Sequence, residues 1–294
     1  MSGAVGIIGI GAMGMGMARS LVRNGVRTFV RDLRAEAHRE AAGFGAQTCA
    51  SPAELARACG IVATVVVDAA QTEAVLFGEA GAVAAAAPGT TFVISSTLDA
   101  DYVAGVAARV ELSGMLFVDA PISGGPKRAA EGTMTTMIAG APTALAATRD
   151  YFPKVASRIF NISECAGDAA RVKLVNNMLA AANLVAGAEA LALGTQLGLD
   201  QKTLFDVICA SSGGSWMFAD RMGRVVAQDP TVTAAMPILA KDVGLAMELA
   251  RKNQFPAPMG ALAHSSLLAG LALGLHERDD GDVYRVYERY VRGG

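Results

Sequence analysis

Lys173 and Asn177 stand four residues apart, a spacing that puts both on one face of a helix. The run after them, Met178-Leu179-Ala180-Ala181-Ala182, is apolar around its circumference and predicts a helix buried between protein layers. A lysine at the entrance of such a helix suits proton transfer, because partial burial brings an ammonium group down towards a working pH. Lysines more often snorkel to solvent. The adjacent Asn176–Asn177 pair points the other way, since buried amides need partners and a polar ligand supplies them. The chemistry suggested is proton exchange with an alcohol while hydride leaves the same carbon, which requires a redox cofactor.

A site for one stands at the N-terminus. Gly9-Ile10-Gly11-Ala12-Met13-Gly14 is a GxGxxG that follows a predicted strand, Ala4 to Ile10, and opens a predicted helix, Met13 to Asn24. One glycine makes the tight turn, one lets backbone approach a pyrophosphate, and one lets helix and strand pack closely. The N–H groups of the helix start, those of Ala12 and Met13 among them, then face the phosphates. Asp32 lies 18 residues past Gly14, where a carboxylate meets an NAD ribose. That acid favours NAD, because it accepts from a 2′-hydroxyl and repels a 2′-phosphate. Arg31 and Arg34 flank it and keep NADP open.

Asp119-Ala120-Pro121-Ile122-Ser123-Gly124-Gly125 follows another predicted strand, at the carboxyl edge where open α/β sheets bind ligands. Ser123 offers a hydroxyl, and Gly124 and Gly125 leave backbone N–H groups open to a carboxylate. An ordinary Pro–Gly loop explains the same letters. Other polar groups read as structure. Ser211 to Ser215 lacks nucleophile-elbow spacing and His264 has no acidic orienter, which argues against a serine hydrolase. Lys241–Asp242 reads as a helix cap with a solvated lysine, and Trp216 as core.

The elements that must position these groups follow from periodicity. Arg27 to Arg31, Ile61 to Val67, Thr91 to Ser95 and Leu116 to Asp119 read as strands, with Thr135 to Ala139 and Arg158 to Asn161 as edge strands. Helical segments between them, Glu36 to Ala42 among these, predict a mainly parallel sheet with helices on both faces. Past residue 165 strands cease, and a long helix from about Ala169 to Leu197 leads into helical segments broken by Pro230, Pro237, Pro256 and Pro258. The expected architecture is an α/β, Rossmann-type doubly wound parallel sheet over 1–164, then the long helix and an all-α domain over 165–294. The 294 residues, 52 % of them hydrophobic and 18 % charged, suffice for two cores. A net charge of −2 without a polybasic run suggests neither nucleic acid nor an anionic membrane as partner. Cys49, Cys59, Cys165 and Cys209 are scattered, as are His38, His264 and His276, so no disulfide framework and no metal site is expected. Reduced thiols and the absence of a basic, cleavable leader make the cytoplasm the expected compartment.

Taken in order, these motifs resemble the β-hydroxyacid dehydrogenase family over essentially the whole chain. The resemblance rests on Gly9 to Gly14, Asp119 to Gly125 with Gly132-Thr133, Lys173-Leu-Val-Asn-Asn177, and Lys241-Asp242. It implies Lys173 as catalytic lysine, Ser123 and Gly124 as substrate-carboxylate loop, and Asn177 as substrate-orienting residue. It further implies Ser96-Thr97 near the nicotinamide ribose and Lys241 lining the cleft. Asp32-Leu33 is similar to the NAD-using members, NADP users tending to carry Asn-Arg there. Asp68-Ala-Ala-Gln-Thr-Glu-Ala-Val and Ser211-Ser-Gly-Gly-Ser-Trp-Met-Phe218 look most like the L-threonate dehydrogenase branch, which oxidises a C2 hydroxyl to a 2-keto acid. Asp68 and Leu98-Asp99 depart from the common pattern at cofactor-side loops. The family implication is a short hydroxy acid as substrate; the apolar connecting helix suggests that part of its surface is covered by a second subunit, so a homo-oligomer is expected. The alternatives are a 3-hydroxyisobutyrate dehydrogenase, a semialdehyde reductase, or an NAD-binding redox sensor without catalysis.

Overall fold

The protein is described by a computed structural model that covers residues 3–291. The chain divides into two compact units, Met1–Lys173 and Leu174–Gly294. In the first, strands β1 (Val5–Ile8), β2 (Thr28–Arg31), β3 (Gln47–Thr48), β4 (Ile61–Thr64), β5 (Thr91–Ile94) and β6 (Leu116–Asp119) pair in the order β3-β2-β1-β4-β5-β6, all parallel. Strands β7 (Ile122–Ser123), β8 (Met134–Ala139) and β9 (Ala156–Ser163) extend it, β8 running antiparallel to β6 and β7 and parallel to β9. Strand order reverses between β1 and β4, which opens the ligand crevice of a doubly wound sheet.

The helices of this unit are α1 (Ala12–Arg23), α2 (Ala35–Gly43), α3 (Pro52–Ala58), α4 (Ala69–Phe77), α5 (Ala100–Leu112), α6 (Gly125–Glu131) and α7 (Pro142–Thr148). Period-two alternation sends Ile7, Val30, Val93 and Val118 into one core and Ile8, Val62, Phe92 and Phe117 into another, so both sheet faces are covered. The strands therefore read as continuous apolar runs, which is why periodicity located them. The run predicted through Val67 ends at Thr64, and the two-residue strands β3 and β7 are too short for any pattern to reveal. Asp68 and Asp99, the two loop departures, cap α4 and α5 by accepting from Gln71 N, and from Asp101 N and Tyr102 N.

Helix α8 (Asp168–Gln196) runs from the first unit into the second. By length and composition alone it could cross a membrane. Leu174, Ala181, Leu184, Ala188 and Leu191 are nonetheless fully buried, the last four in the second unit's core. Within this chain α8 is buried on one side only. Val172, Val175, Leu179 and Leu193 are exposed on its other side, because an apolar circumference does not say which face meets protein. The remaining helices are α9 (Gln201–Cys209), α10 (Gly223–Val226), α11 (Met236–Lys252), α12 (Pro258–Ala272) and α13 (Tyr284–Glu288). Phe218 anchors their core, stacked on Phe205 and pressed so close to Gly187 that a Cβ there would meet its Cδ2 at 2.6 Å. Trp216, expected in the core, is 53 % exposed.

The start of α8 is held by a residue far away in sequence. Asp119 ends β6 fully buried, and its Oδ2 accepts from Gly167 N at 3.0 Å and Ala170 N at 2.9 Å. Burial pushes its pKa from 3.8 up to about 6, while those two N–H groups pull the other way. A raised folded pKa means the native state keeps a proton that the unfolded chain has already released. The stability this adds is present at low pH and is lost as pH rises from about 4 to about 6. Asp119→Asn should abolish that slope. Urea unfolding at acid and neutral pH should show wild type losing about 3 kcal/mol relative to the variant on going to neutral pH. A difference that does not change with pH would refute it.

Candidate active site

The glycine turn is built by close contact. Gly9 has φ +90°, and a Cβ there would sit 2.8 Å from Val65 O, at the end of β4. A Cβ on Gly14 would lie 2.1 Å from Gly9 O, so only glycine lets α1 seat this tightly on β1. Gly11, the N-cap of α1, faces open space and no side chain caps the helix. The N–H groups at Ala12 and Met13 thus open α1 with no side-chain cap, an arrangement that can accept an anion. A cleft of about 420 Å³ adjoins it, lined by Ile10, Gly11, Ala12, Met15, Arg34 and Pro126 among others.

Asp32 lies immediately beyond β2, and its Oδ2 accepts from Ile10 N at 2.9 Å, so the acid and the glycine turn are one structure. Its Oδ1 accepts from Arg34 N at 3.0 Å and Arg34 Nε at 2.9 Å, and Arg34 Nη2 reaches Oδ2 at 3.2 Å. Burial works to raise the pKa of Asp32, but the Arg34 hydrogen bonds and charge, with the Ile10 N–H, outweigh it and bring it below 3.8. The carboxylate is therefore ionised at neutral pH. On the other side, Asp32 N donates to His38 Nε2 at 2.9 Å. Thr97 lies half-buried just past β5. Beside it two buried hydroxyls at strand ends, Thr64 Oγ1 and Ser96 Oγ, have no partner among the described residues. Both lie at the carboxyl edge of central strands.

Ser123 is on β7, not in a free loop as its sequence suggested, and pairs with Thr135. Gly124 (φ +134°) and Gly125 (φ +77°) follow, half-buried, and open α6. Helix α6 packs directly on α1, where a Cβ on Gly16 would meet Ala129 Cβ at 2.7 Å. The two glycine-bearing turns are thereby held by one rigid helix pair.

Lys173 and Asn177 occupy one face of α8 and are 7 % and 8 % exposed. Asn177 Nδ2 donates to Asp242 Oδ2 at 2.7 Å, and Asn177 Oδ1 accepts from Asn176 Nδ2 at 3.1 Å, so the amide's orientation is fixed. Lys241 Nζ meets the other oxygen of Asp242 at 2.7 Å. The cap reading of Lys241–Asp242 is wrong. Both lie inside α11, and Asp242 is a buried carboxylate, 4 % exposed, that joins Asn177 to Lys241. Thr64 is a group that sequence reasoning missed, and Asp242, named only as part of the Lys241–Asp242 motif, was not read as a buried link. The local signal was a polar residue within an apolar pattern, inside a helix for one and at a strand end for the other.

A buried lysine and a locked amide stand one turn apart, both polar groups on one helix face. A glycine-rich helix start can hold phosphate beside an ionised acid. The comparisons with known proteins agree with this division. Residues 4–166 match the NAD binding domain of 6-phosphogluconate dehydrogenase, and residues 167–287 match the NAD-binding model of NADP-dependent 3-hydroxyisobutyrate dehydrogenase. The chain is 40 % identical to an L-threonate dehydrogenase of Cupriavidus necator, over 98 % of this chain and 97 % of that one. It is 36 % identical to an L-threonate dehydrogenase of Escherichia coli K12, over 96 % and 94 %. A crystal structure of 3-hydroxyisobutyrate dehydrogenase from Salmonella typhimurium superposes with a TM-score of 0.91 at 35 % identity, covering 96 % of this chain and 99 % of that one. With both halves matched in order and full-length relatives well above 30 % identity, the chain belongs to the β-hydroxyacid dehydrogenase family.

Proposed function

We propose that the protein oxidises the C2 hydroxyl of L-threonate, or of a closely similar short hydroxy acid, to the 2-keto acid with NAD. The observation that carries this is the buried Lys173–Asn177 face of α8, in a chain similar over its length to two L-threonate dehydrogenases. NAD, when bound, supplies the hydride acceptor. The side chain of Lys173 takes the hydroxyl proton as the carbonyl forms, and Asn177, locked by Asp242, orients the hydroxyl-bearing carbon. Ser123 and the Gly124–Gly125 amides receive the substrate carboxylate. Reduction of a semialdehyde uses the same groups in reverse, and metabolite levels set the direction. The name of the Salmonella neighbour supports 3-hydroxyisobutyrate as a second substrate reading. A redox sensor would have no use for a buried lysine beside a fixed amide. A panel of C3–C6 hydroxy acids with NAD, followed by NADH absorbance, should single out L-threonate. Lys173→Ala should lower kcat on it by about 10²–10⁴-fold with NAD affinity unchanged. Near-wild-type turnover in that variant would remove the lysine from the mechanism.

The cofactor is NAD rather than NADP in this reading, because an ionised Asp32 repels a 2′-phosphate. Thr97 and Lys241 complete the contacts to it. Asp32→Ser should weaken kcat/KM with NAD and strengthen it with NADP, each by about tenfold. An unchanged NAD/NADP ratio would count against the assignment.

The enzyme works in solution in the cytoplasm, as a homo-oligomer. The exposed stripe Val172, Val175, Leu179, Ala186, Ala190 and Leu193 recurs at helical spacing along α8, and a second subunit is what covers it. Sedimentation at micromolar protein should give at least a dimer, and Leu179→Glu should shift it towards monomer. A monomeric wild type would end this part of the proposal.

A further inference from the structure

We infer that Asp119 is a positioning residue for the reaction, setting the depth and tilt of Lys173 by gripping the first turn of α8. The inference rests on Lys173 being the proton-transfer group.

Asp119 stands where two lengths of the site meet. It ends β6, and its own chain continues through Pro121 and Ile122 into Ser123, Gly124 and Gly125. Its side chain reaches 48 and 51 residues onward to the N–H groups of Gly167 and Ala170. Lys173 lies three residues past Ala170, about 4.5 Å along the helix axis. One side chain thus joins the strand that feeds the carboxylate loop to the helix that carries the amine. The grip is charge-assisted, and it acts on the positive end of the helix dipole.

Capping alone does not require this residue. A local Ser, Thr or Asp at the N-cap would satisfy the same N–H groups. The N-cap position here is instead Gly167, with φ +97°, and a Cβ on it would meet Ala100 O at 2.6 Å. The turn is so tight against α5 that no side chain fits, and the cap comes from the sheet. Burying a carboxylate there is costly. Its Oδ1 has no hydrogen-bond partner among the described residues, and its pKa stands well above the ordinary range. A displacement of 1 Å at a reacting group costs on the order of 10²-fold in rate, which is what the grip prevents.

The test is a set of variants read as kcat, KM and NAD affinity. Asp119→Asn keeps an oxygen that accepts both N–H bonds and should retain kcat within about threefold. Asp119→Ala should lower kcat about 30–100-fold with the NAD dissociation constant little changed. Asp119→Ser, which cannot reach the helix, should behave likewise and serves if the alanine variant does not fold. In a Lys173→Ala background, with single-turnover NADH formation as readout, Asp119→Ala should cost less than about threefold more, because residues acting through one another are not additive. Wild-type kcat in both Asp119→Ala and Asp119→Ser would overturn the inference, and so would full additivity with Lys173→Ala. If Lys173→Ala alone keeps wild-type turnover, the proton-transfer reading fails first and this inference falls with it.

Discussion

Everything in the first unit depends on how closely α1 can approach β1. With 2.1 Å between Gly9 O and the position of a Gly14 Cβ, the helix is seated where no side chain is possible. That seating puts the open N–H groups of α1 at the carboxyl edge of the sheet, beside the point where strand order reverses. It also brings Gly16 against Ala129, so α6 and the Ser123–Gly125 segment are placed by the same contact. One backbone-to-backbone approach fixes the Gly9–Gly14 turn and the Ser123–Gly125 segment together.

Three carboxylates then do the fine alignment, each on a different partner. Asp32 holds the backbone of the glycine turn through Ile10 N. Asp119 holds the start of α8 through Gly167 N and Ala170 N. Asp242 holds the amide of Asn177 and the ammonium of Lys241. None of them needs to enter the reaction to matter to it. A buried charge with fixed partners is a stiff joint, since any displacement leaves it without compensation in a medium that cannot screen it.

What could be read from the sequence divides along the same line. Gly9, Gly11, Gly14 and Asp32 announce themselves because their constraint is local, with turn, helix start and acid within two dozen residues. Lys173 and Asn177 were visible because four-residue spacing has a single helical meaning. Asp242, Thr64 and the grip of Asp119 were not. Their partners lie tens of residues away or are orphaned, and a polar letter within an apolar run carries no address. The exposed face of α8 and of Trp216 escaped for a complementary reason, since hydropathy records what a residue prefers and not what covers it.

The pairing of Arg34 with Asp32 has one more consequence. Four donors already converge on that carboxylate: Ile10 N, Arg34 N, and two guanidinium nitrogens. Its lone pairs are spoken for, so a ribose hydroxyl arrives by exchange, displacing the guanidinium rather than filling a vacancy. The gain on binding is the difference between two hydrogen bonds, not the whole of one. Arg34 is a tethered competitor for its own site. For the dinucleotide proposed above, that exchange would lower the hold on the oxidised and the reduced forms alike.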